Sequence, residues 1–350
     1  TESHRLTDVA QALGGYFVKA HTTARTVTPV EEIESFLLSN ENRFPGIESA
    51  AEEIGASRTD GDMSREGALI AALQARNYRI AREPGFSEGS GTDRTADAGR
   101  RLTMPVGTPR AARLDRLAMA VADEYMDAPI AAVLSARSEP VSAIARQHLT
   151  ALLKTYAADA LLMPAQPFLE SAERLRYDLD ALSRAWEVEF DRVCRRLTAI
   201  GGQGGSERSD SGLRFAYFSC NAAGHTIDRR PLPDLPFPRH GAACPLWSIY
   251  RAFSTPETVI RQVARFPDGE KMLFVARARR IGPVGFDLPA DYVADMIAVP
   301  AEGAGRTVYA DGIDFGSRGN AEPVGPNCRI CPREGCSHRT DDPLVGKLFN

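Results

Sequence analysis

Three cysteines near residue 330 have the spacing of a metal or iron–sulfur site. Cys328 and Cys331 form a C-x2-C pair, and Cys336 follows Gly335, which relaxes the backbone beside it. A short loop of this kind turns its sulfur atoms toward one centre, and structural zinc and a [4Fe–4S] cluster both take four protein ligands. The spacing therefore predicts a site that these three thiolates share with one distant residue.

The fourth ligand is open between Cys244, Cys220 and His338. We favour Cys244 because the sequence GAACPLW puts it on a loop before a predicted helix, where main-chain N–H groups stabilise a thiolate. All six cysteines lie at or after residue 194, and such clustering indicates metal binding rather than disulfide bonds. Spacing alone does not separate zinc from an iron–sulfur cluster.

Composition and charge exclude several classes of protein. The net charge is −4, so no overall basic field directs the chain to nucleic acid. No apolar run reaches the ~18–20 residues of a membrane helix, and the first residues lack a signal-peptide pattern, so we predict a cytoplasmic protein without membrane contact. The six histidines include no pair spaced i, i+4, which excludes the H-E-x-x-H site of zinc peptidases.

The first 200 residues are predicted to be helical, in two parts. Residues 1–100 form an N-terminal helical segment that ends in a linker at 84–101, rich in Gly, Ser, Thr and Asp. Residues 101–200 form a central helical domain, which ends at a glycine-rich linker. Its helices are predicted at 112–132, 140–163, 166–177, 180–186 and 189–199.

Residues 201–350 have the alternating pattern of strands. The strands are predicted at 213–220, 225–227, 271–279, 291–299 and 306–309, with one short helix at 247–253. The whole chain is therefore predicted to be α+β. An all-helical N-terminal and central block is followed by a small antiparallel α+β effector-binding domain, with the general build of PAS or GAF sensor domains.

Three segments resemble the short-chain fatty-acyl transcriptional regulators of bacteria. They are YAADALLMPAQPFLESAERLRYDLDALSRAWEVEFDRVCRRLTAI at 156–200, HGAACPLWSIYRAFSTPETVIRQVARFPDGEKMLFVARA at 240–278, and CRICPREGCSHR at 328–339. The resemblance covers residues 110–340 and implies a degenerate IrrE/ImmA-like central domain followed by a C-terminal sensor domain. It also implies a [4Fe–4S] cluster rather than zinc, held by Cys244, Cys328, Cys331 and Cys336.

The resemblance implies that the C-terminal domain binds coenzyme A or a short-chain acyl-CoA. Such a ligand needs cations for its phosphates and an aromatic or apolar slot for the rest. The candidates for phosphate are Arg214, Arg251, Arg277 and Arg279, and those for the slot are Tyr217, Trp247, Tyr250 and Phe253. Arg277 and Arg279 share one face of a predicted strand because side chains alternate along a strand.

The resemblance also implies DNA binding through a helix–turn–helix domain, which is not evident in the first 80 residues. We expect a homodimer that is not an enzyme. Two readings from other classes stay open. An acyl-CoA-processing enzyme would use Cys220 and His225, five residues apart across a predicted turn. A zinc-stabilised protein-interaction module would use the four cysteines without a cluster.

Overall fold

The chain forms two compact units, one of residues 40–212 and one that combines residues 1–39 with 213–350. The computed structural model describes residues 28–56, 64–83, 93–94, 100–136, 141–201, 213–233, 235, 237–238, 242–282, 286, 290–316 and 321–342. The helical prediction for residues 1–27 lies outside these residues. The predicted border between 200 and 201 lies close to the division after residue 212.

The unit of residues 40–212 is mainly helical. Its helices are α2 (Pro45–Ala56), α3 (Arg65–Gln74), α4 (Arg110–Tyr125), α5 (Asp127–Ser135), α6 (Ala143–Leu162), α7 (Ala165–Arg174), α8 (Leu179–Trp186) and α9 (Phe190–Ile200). The predicted helices from 140 to 199 are confirmed. The hydroxyl of Ser142 caps α6 by accepting a hydrogen bond from the N–H of Ala145 at 3.2 Å, and Pro164 follows its end.

The single helix predicted at 112–132 is wrong, because the chain breaks it into α4 and α5. The break is at Met126, whose backbone leaves the helical region (φ −99°, ψ 1°) while its side chain is fully buried. Pro129 in the first turn of α5 explains the break, because it has no N–H to donate to the Tyr125 carbonyl and its ring clashes with that carbonyl. The apolar pattern alone therefore gave the correct helical content with one boundary missing.

A buried ion pair connects three helices of this unit. The guanidinium of Arg196 on α9 donates to both carboxylate oxygens of Glu48 on α2, at 2.5 and 2.8 Å, and its side chain has no exposed surface. The hydroxyl of Tyr156 on α6 also donates to Glu48, and the Nε of Arg196 donates to the Met163 carbonyl at 2.7 Å. These bonds satisfy a charge pair that would otherwise be costly to bury.

The N-terminal part of this unit is not all-helical, which corrects the predicted fold. Strands β1 (Tyr78–Glu83), β2 (Asp93–Arg94) and β3 (Arg100–Pro105) form a sheet in the order β1-β3-β2, with β1 and β3 parallel. Leu102 and Met104 are buried at alternating positions of β3, as a half-buried strand requires. The linker predicted at 84–101 therefore overlaps the first two residues of β3.

The other unit contains helix α1 (Pro29–Ser39) and a larger sheet. The strands are β4 (Ala216–Asn221), β5 (Thr226–Arg230), β6 (Ile260–Arg265), β7 (Lys271–Ile281), β8 (Asp291–Pro300) and β9 (Glu322–Pro323). Their order is β5-β4-β8-β7-β6-β9, and every pair is antiparallel except β6 with β9. The sheet and the helical unit together confirm the α+β class.

One face of the larger sheet packs against the short helix α10 (Ser248–Ala252). Phe218, Phe274 and Met296 project from neighbouring strands into this core, and Trp247, fully buried, lies among them just before α10. The rings of Trp247 and Phe274 meet edge to face at 5.2 Å between centroids. This core fixes the loop that carries Cys244.

Three details of this unit differ from the prediction. Strand β6 was missed because the three apolar residues of its sequence IRQVAR do not alternate with the polar ones, and the two-residue strand β9 was missed as well. The strand predicted at 306–309 is wrong: this region holds α11 (Ala301–Ala304) and a 3-10 helix at Val308–Ala310. No helix in the described part of the chain is both long enough and apolar enough to cross a membrane.

Candidate metal centre

Four of the six cysteines line one pocket at the edge of the larger sheet. Cys244 contributes from the loop before α10, and Cys328, Cys331 and Cys336 contribute from the segment after β9. The cavity among them is small, about 10 Å³, which is roughly the space of one water molecule. The structure thus brings together the four residues that the sequence analysis assigned to one site.

Two hydrogen bonds hold the Cys244 loop against the segment that follows β9. The N–H of Cys244 donates to the Pro326 carbonyl at 2.9 Å, and the indole N–H of Trp247 donates to the Gly325 carbonyl at 2.9 Å. Both donors belong to buried residues, and buried polar groups are costly to leave without a partner. The two bonds fix the distance between the remote cysteine and the three clustered ones.

Gln262 of β6 adds a second connection to the same loop. Its side chain is 3% exposed and accepts from the N–H of Ser248 at 2.8 Å, while its amide nitrogen donates to the Leu246 carbonyl at 2.9 Å. The same nitrogen donates to the carboxylate of Glu322 on β9. One buried side chain therefore connects the sheet, the helix start and the strand that leads into the cysteine segment.

Gly325 allows Cys331 to enter the pocket. A Cβ atom at Gly325 would lie 2.6 Å from the sulfur of Cys331 and 3.0 Å from its Cβ, closer than real side chains approach. Every larger residue at position 325 would push Cys331 away. Glycine is required here because of this close approach and not because of its backbone conformation, since its φ angle is not positive.

The surroundings of the thiols differ between the two sides of the pocket. Partial burial alone raises the pKa of Cys328, but hydrogen bonds from Thr340 and Asp341 and the charge of Arg339 outweigh burial and lower that pKa. Burial raises the pKa of Cys244, although the N–H groups of Gly325 and Leu246 point at its sulfur and oppose that shift. Donors of this kind stabilise thiolate once a cation or cluster is present.

The two other candidates for the fourth ligand have different positions. His338 also lines the pocket, so it lies on the same side as the clustered cysteines. Cys220 lies on β4, fully buried in the aromatic core, and its side chain does not line the pocket. The geometry therefore disfavours Cys220 and places both Cys244 and His338 at the pocket.

The donor set of the pocket consists of four thiols. Within the described residues, no group of three or more His, Cys, Asp or Glu side chains has an arrangement that fits a single metal ion. The four cysteines nevertheless surround a common pocket, with N–H donors directed at the sulfurs of Cys244 and Cys328. Four cysteine thiolates are a ligand set that both structural zinc and a [4Fe–4S] cluster take.

The residues predicted to contact coenzyme A divide between the two faces of the larger sheet. Trp247 and Tyr250 belong to the face that packs on α10, whereas Tyr217, Arg277 and Arg279 project from the opposite face. Trp247 and Tyr217 are both buried, at 0% and 1% exposure. The described residues thus do not gather this set around one pocket.

All four charged candidates already take part in interactions within the protein. Arg279 donates to the fully buried carboxylate of Asp295 at 2.7 Å, and that carboxylate also accepts from the hydroxyl of Tyr217 at 2.6 Å. Arg277 pairs with Glu257. Arg251 is half exposed and pairs with Glu322 at 3.2 Å. Arg214 is exposed just before β4. A ligand phosphate would have to replace or share these contacts.

Several residues that shape the pocket were missed by the sequence analysis: Gln262, Glu322, Gly325, Arg333 and Arg339. Gly325 and Arg339 flank the cysteine motif within three residues of it, so proximity to the motif was an available signal. Gln262 lies far away in sequence and acts through packing, for which the sequence offers no signal.

Comparisons with known proteins identify both parts of the chain. A family model described as "Short-chain fatty acyl coenzyme A regulator, C-terminal" matches residues 206–349, and one described as "IrrE N-terminal-like domain" matches residues 135–198. The first match contains all four cysteines of the pocket. The second contains helices α6 to α8 and most of α9.

The similar proteins are bacterial regulators. The propionyl-CoA carboxylase regulator of Cereibacter sphaeroides is 29% identical over 92% of this chain and 66% of its own length. The HTH-type transcriptional regulator PrpR of Mycobacterium tuberculosis is 33% identical over 56% of this chain and 39% of its own length, and RamB from the same species is 27% identical over 92% and 67%. The chain therefore spans less than two thirds of the first two relatives.

A solved structure shares the fold along most of the chain. It is a transcriptional regulator of Mycobacterium tuberculosis, with 26% sequence identity and a TM-score of 0.79 over 91% of this chain and 94% of that one. Through residues 206–349 and the IrrE N-terminal-like domain before them, the chain is similar to the short-chain fatty acyl coenzyme A regulators.

Proposed function

We propose that this chain is the effector-sensing portion of a bacterial transcriptional regulator of short-chain acyl-CoA metabolism. The observation that carries the proposal is the family match over residues 206–349, which coincides with the unit that holds the four-cysteine pocket. The effector is coenzyme A or a short-chain acyl-CoA. The antiparallel strands with α10 on one face support a domain of PAS-like or GAF-like build.

Calorimetric titration tests the effector. Propionyl-CoA or free coenzyme A should release heat and raise the melting temperature of the purified chain, whereas ADP at equal concentration serves as a control for unspecific phosphate binding. Replacing Arg214 or Arg251 by alanine should weaken binding by roughly tenfold, the worth of one charged hydrogen bond. Arg329→Ala is the matched control, since this arginine is exposed on the cysteine segment. Absence of heat at millimolar ligand would remove the proposal.

The same unit would hold a [4Fe–4S] cluster through Cys244, Cys328, Cys331 and Cys336. Support comes from the common pocket and from the N–H donors at the sulfurs of Cys244 and Cys328. When bound, the cluster supplies a one-electron redox centre. The protein's own contribution is to hold four thiolates and to connect the tail segment to the core at Trp247.

Metal analysis after anaerobic purification separates the cluster from zinc. Iron and acid-labile sulfide in equal amounts, with a brown colour, support the cluster. Zinc without colour would favour the alternative, a zinc-stabilised protein-interaction module. The four single Cys→Ser variants should each lose metal, and Cys220→Ser is the matched control because Cys220 lies in the core rather than at the pocket.

An acyl-CoA-processing enzyme is not favoured. Its candidate nucleophile, Cys220, is fully buried, and burial together with the charge of Asp295 raises the pKa of its thiol to about 12. His225 is exposed beyond the turn that follows β4. A thiol of this kind stays protonated at neutral pH. Conversion of propionyl-CoA to free coenzyme A by the purified chain, followed chromatographically, would reverse this conclusion.

DNA binding and homodimer formation complete the proposal. Two relatives are named as HTH-type transcriptional regulators, which supports a DNA-binding role for the whole protein. In the regulator, the effector would shift the balance between two arrangements of the dimer by its unequal affinity for them. Sedimentation analysis with and without propionyl-CoA tests the dimer, and a monomer under both conditions would contradict it.

A further inference from the structure

The guanidinium of Arg339 lies against the backbone of the cysteine segment. One of its terminal nitrogens donates to the Cys328 carbonyl at 2.7 Å, and the other donates to the Cys331 carbonyl at 3.3 Å and to the Arg333 carbonyl. The main-chain N–H of Arg339 donates to the Cys336 carbonyl at 3.2 Å. One residue thus binds the backbone at all three cysteines of the segment.

These contacts replace regular secondary structure. Residues 324–342 contain no helix or strand, so their carbonyl groups lack the partners that such elements would provide. A guanidinium presents five N–H donors in a fixed planar fork, whereas a lysine ammonium is a compact point donor on a flexible stem. Arg339 therefore sets the curvature of the loop, and with it the directions of the three sulfur atoms.

The same side chain brings positive charge to the site. Arg339 is half-buried and lines the pocket together with the four cysteines and Arg333. Four deprotonated cysteines carry four negative charges, more than the inorganic core of a [4Fe–4S] cluster offsets. A fixed cation at the pocket wall, partly shielded from water, stabilises this excess more than an exposed cation does.

We propose that Arg339 is the positioning residue of the four-cysteine site: its fork shapes the loop that carries Cys328, Cys331 and Cys336, and its charge stabilises the loaded centre. This inference rests on the proposed cluster and assigns to the centre a residue beyond its four ligands. Arg329 offers a natural comparison. It is one residue from Cys328, but it is 66% exposed and pairs only loosely with Asp341, at 3.5 Å.

Three variants test which property of Arg339 matters. Arg339→Met removes both the forked hydrogen bonds and the charge, and Arg339→Lys removes only the fork. Arg329→Met removes an arginine that is merely close to Cys328. After anaerobic reconstitution, Arg339→Met should lose cluster to a chelator at least tenfold faster than the wild type, within the ~10–100-fold range typical of groups that orient metal ligands. Arg339→Lys should fall between them, since it keeps the charge without the fork. Arg329→Met should behave as the wild type.

The reduction potential provides a readout that altered folding would not imitate. Removing a positive charge beside the centre disfavours the reduced form, so the remaining cluster in Arg339→Met should have a more negative midpoint potential, and that in Arg339→Lys a nearly unchanged one. Circular dichroism of the metal-free proteins shows whether each variant folds. A folded Arg339→Met with wild-type cluster retention and potential would overturn the inference.

Failure of the proposed cofactor has a different signature. If the wild type itself takes up neither iron nor zinc, the four-cysteine centre is wrong and the role of Arg339 falls with it. If the wild type binds zinc, the cluster is wrong, and tenfold faster zinc loss from Arg339→Met than from Arg329→Met still supports the positioning role.

Discussion

Replacing Gly325 by alanine should empty the cysteine site without unfolding the chain. The added Cβ would stand 2.6 Å from the sulfur of Cys331, and ordinary contact begins at 3.4 Å, so the sulfur must move by about 0.8 Å. Metal constellations tolerate displacements of roughly 0.5 Å before they lose function. The atom that must move is the sulfur of Cys331, a proposed ligand, so any shift that relieves the clash also displaces that ligand. We expect at least ~10-fold weaker retention of the centre.

Iron and sulfide per chain, measured after anaerobic reconstitution, give the readout. Gly305→Ala is the matched control: this glycine belongs to the same unit, has φ −58°, and an added Cβ there would meet no atom within 4 Å. Both metal-free variants should melt close to the wild type, because Gly325 has no positive φ to strain. Full loading of Gly325→Ala, with wild-type resistance to a chelator, would refute the steric argument.

Three further predictions concern the buried charges and thiols. Arg196→Met should destabilise the helical unit by ~3–5 kcal/mol in urea titration, because it leaves Glu48 buried without its partner; a cost near that of a surface pair would contradict this. Although burial raises the pKa of Glu48, the hydrogen bonds and charge of Arg196 lower it below 4.5. Its contribution is therefore present above pH 4.5 and is lost as pH falls through the folded pKa, a dependence of the melting temperature that Glu48→Gln should lack. Cys220, whose pKa is raised from 9.0 to about 12 by burial and by a nearby carboxylate, should hold roughly 1000-fold less thiolate than an ordinary cysteine and resist alkylation at neutral pH. Cys328, with a lowered pKa, should react first in the metal-free protein, and mass spectrometry of the labelled peptides distinguishes the two.

The grouping of Cys328, Cys331 and Cys336 at one pocket was predictable because its signal is local. C-x2-C spacing and a third cysteine beside Gly335 define three ligands within one loop, and a cysteine before a helix is a favourable fourth. The long helix α6 was equally accessible, since Ser142 and Pro164 mark its ends. For the three clustered cysteines and for α6, the residues that determine the structure are neighbours in sequence.

The remaining errors come from contacts between distant residues. Strand β6 is defined by its partners, since Gln262 is buried through bonds to Leu246 and Glu322 rather than through apolar alternation. Trp247 was predicted to line a ligand slot, but its ring lies in the core beneath the sheet. From sequence alone, an aromatic residue of a core looks the same as one of a binding slot. Whether any of the predicted arginines contacts coenzyme A is still a prediction.

The two-residue strand β9 also determines how the larger sheet ends. β6 would otherwise present a bare row of N–H and C=O groups, the kind of border through which chains stick to one another and precipitate. Glu322 and Pro323 pair with Ala264 and Arg265 there. Because Pro323 lacks an N–H, it cannot donate a main-chain hydrogen bond to a further strand. The short segment that leads into the cysteines therefore also shields the sheet from self-association, and damage to it should reduce solubility as well as metal content.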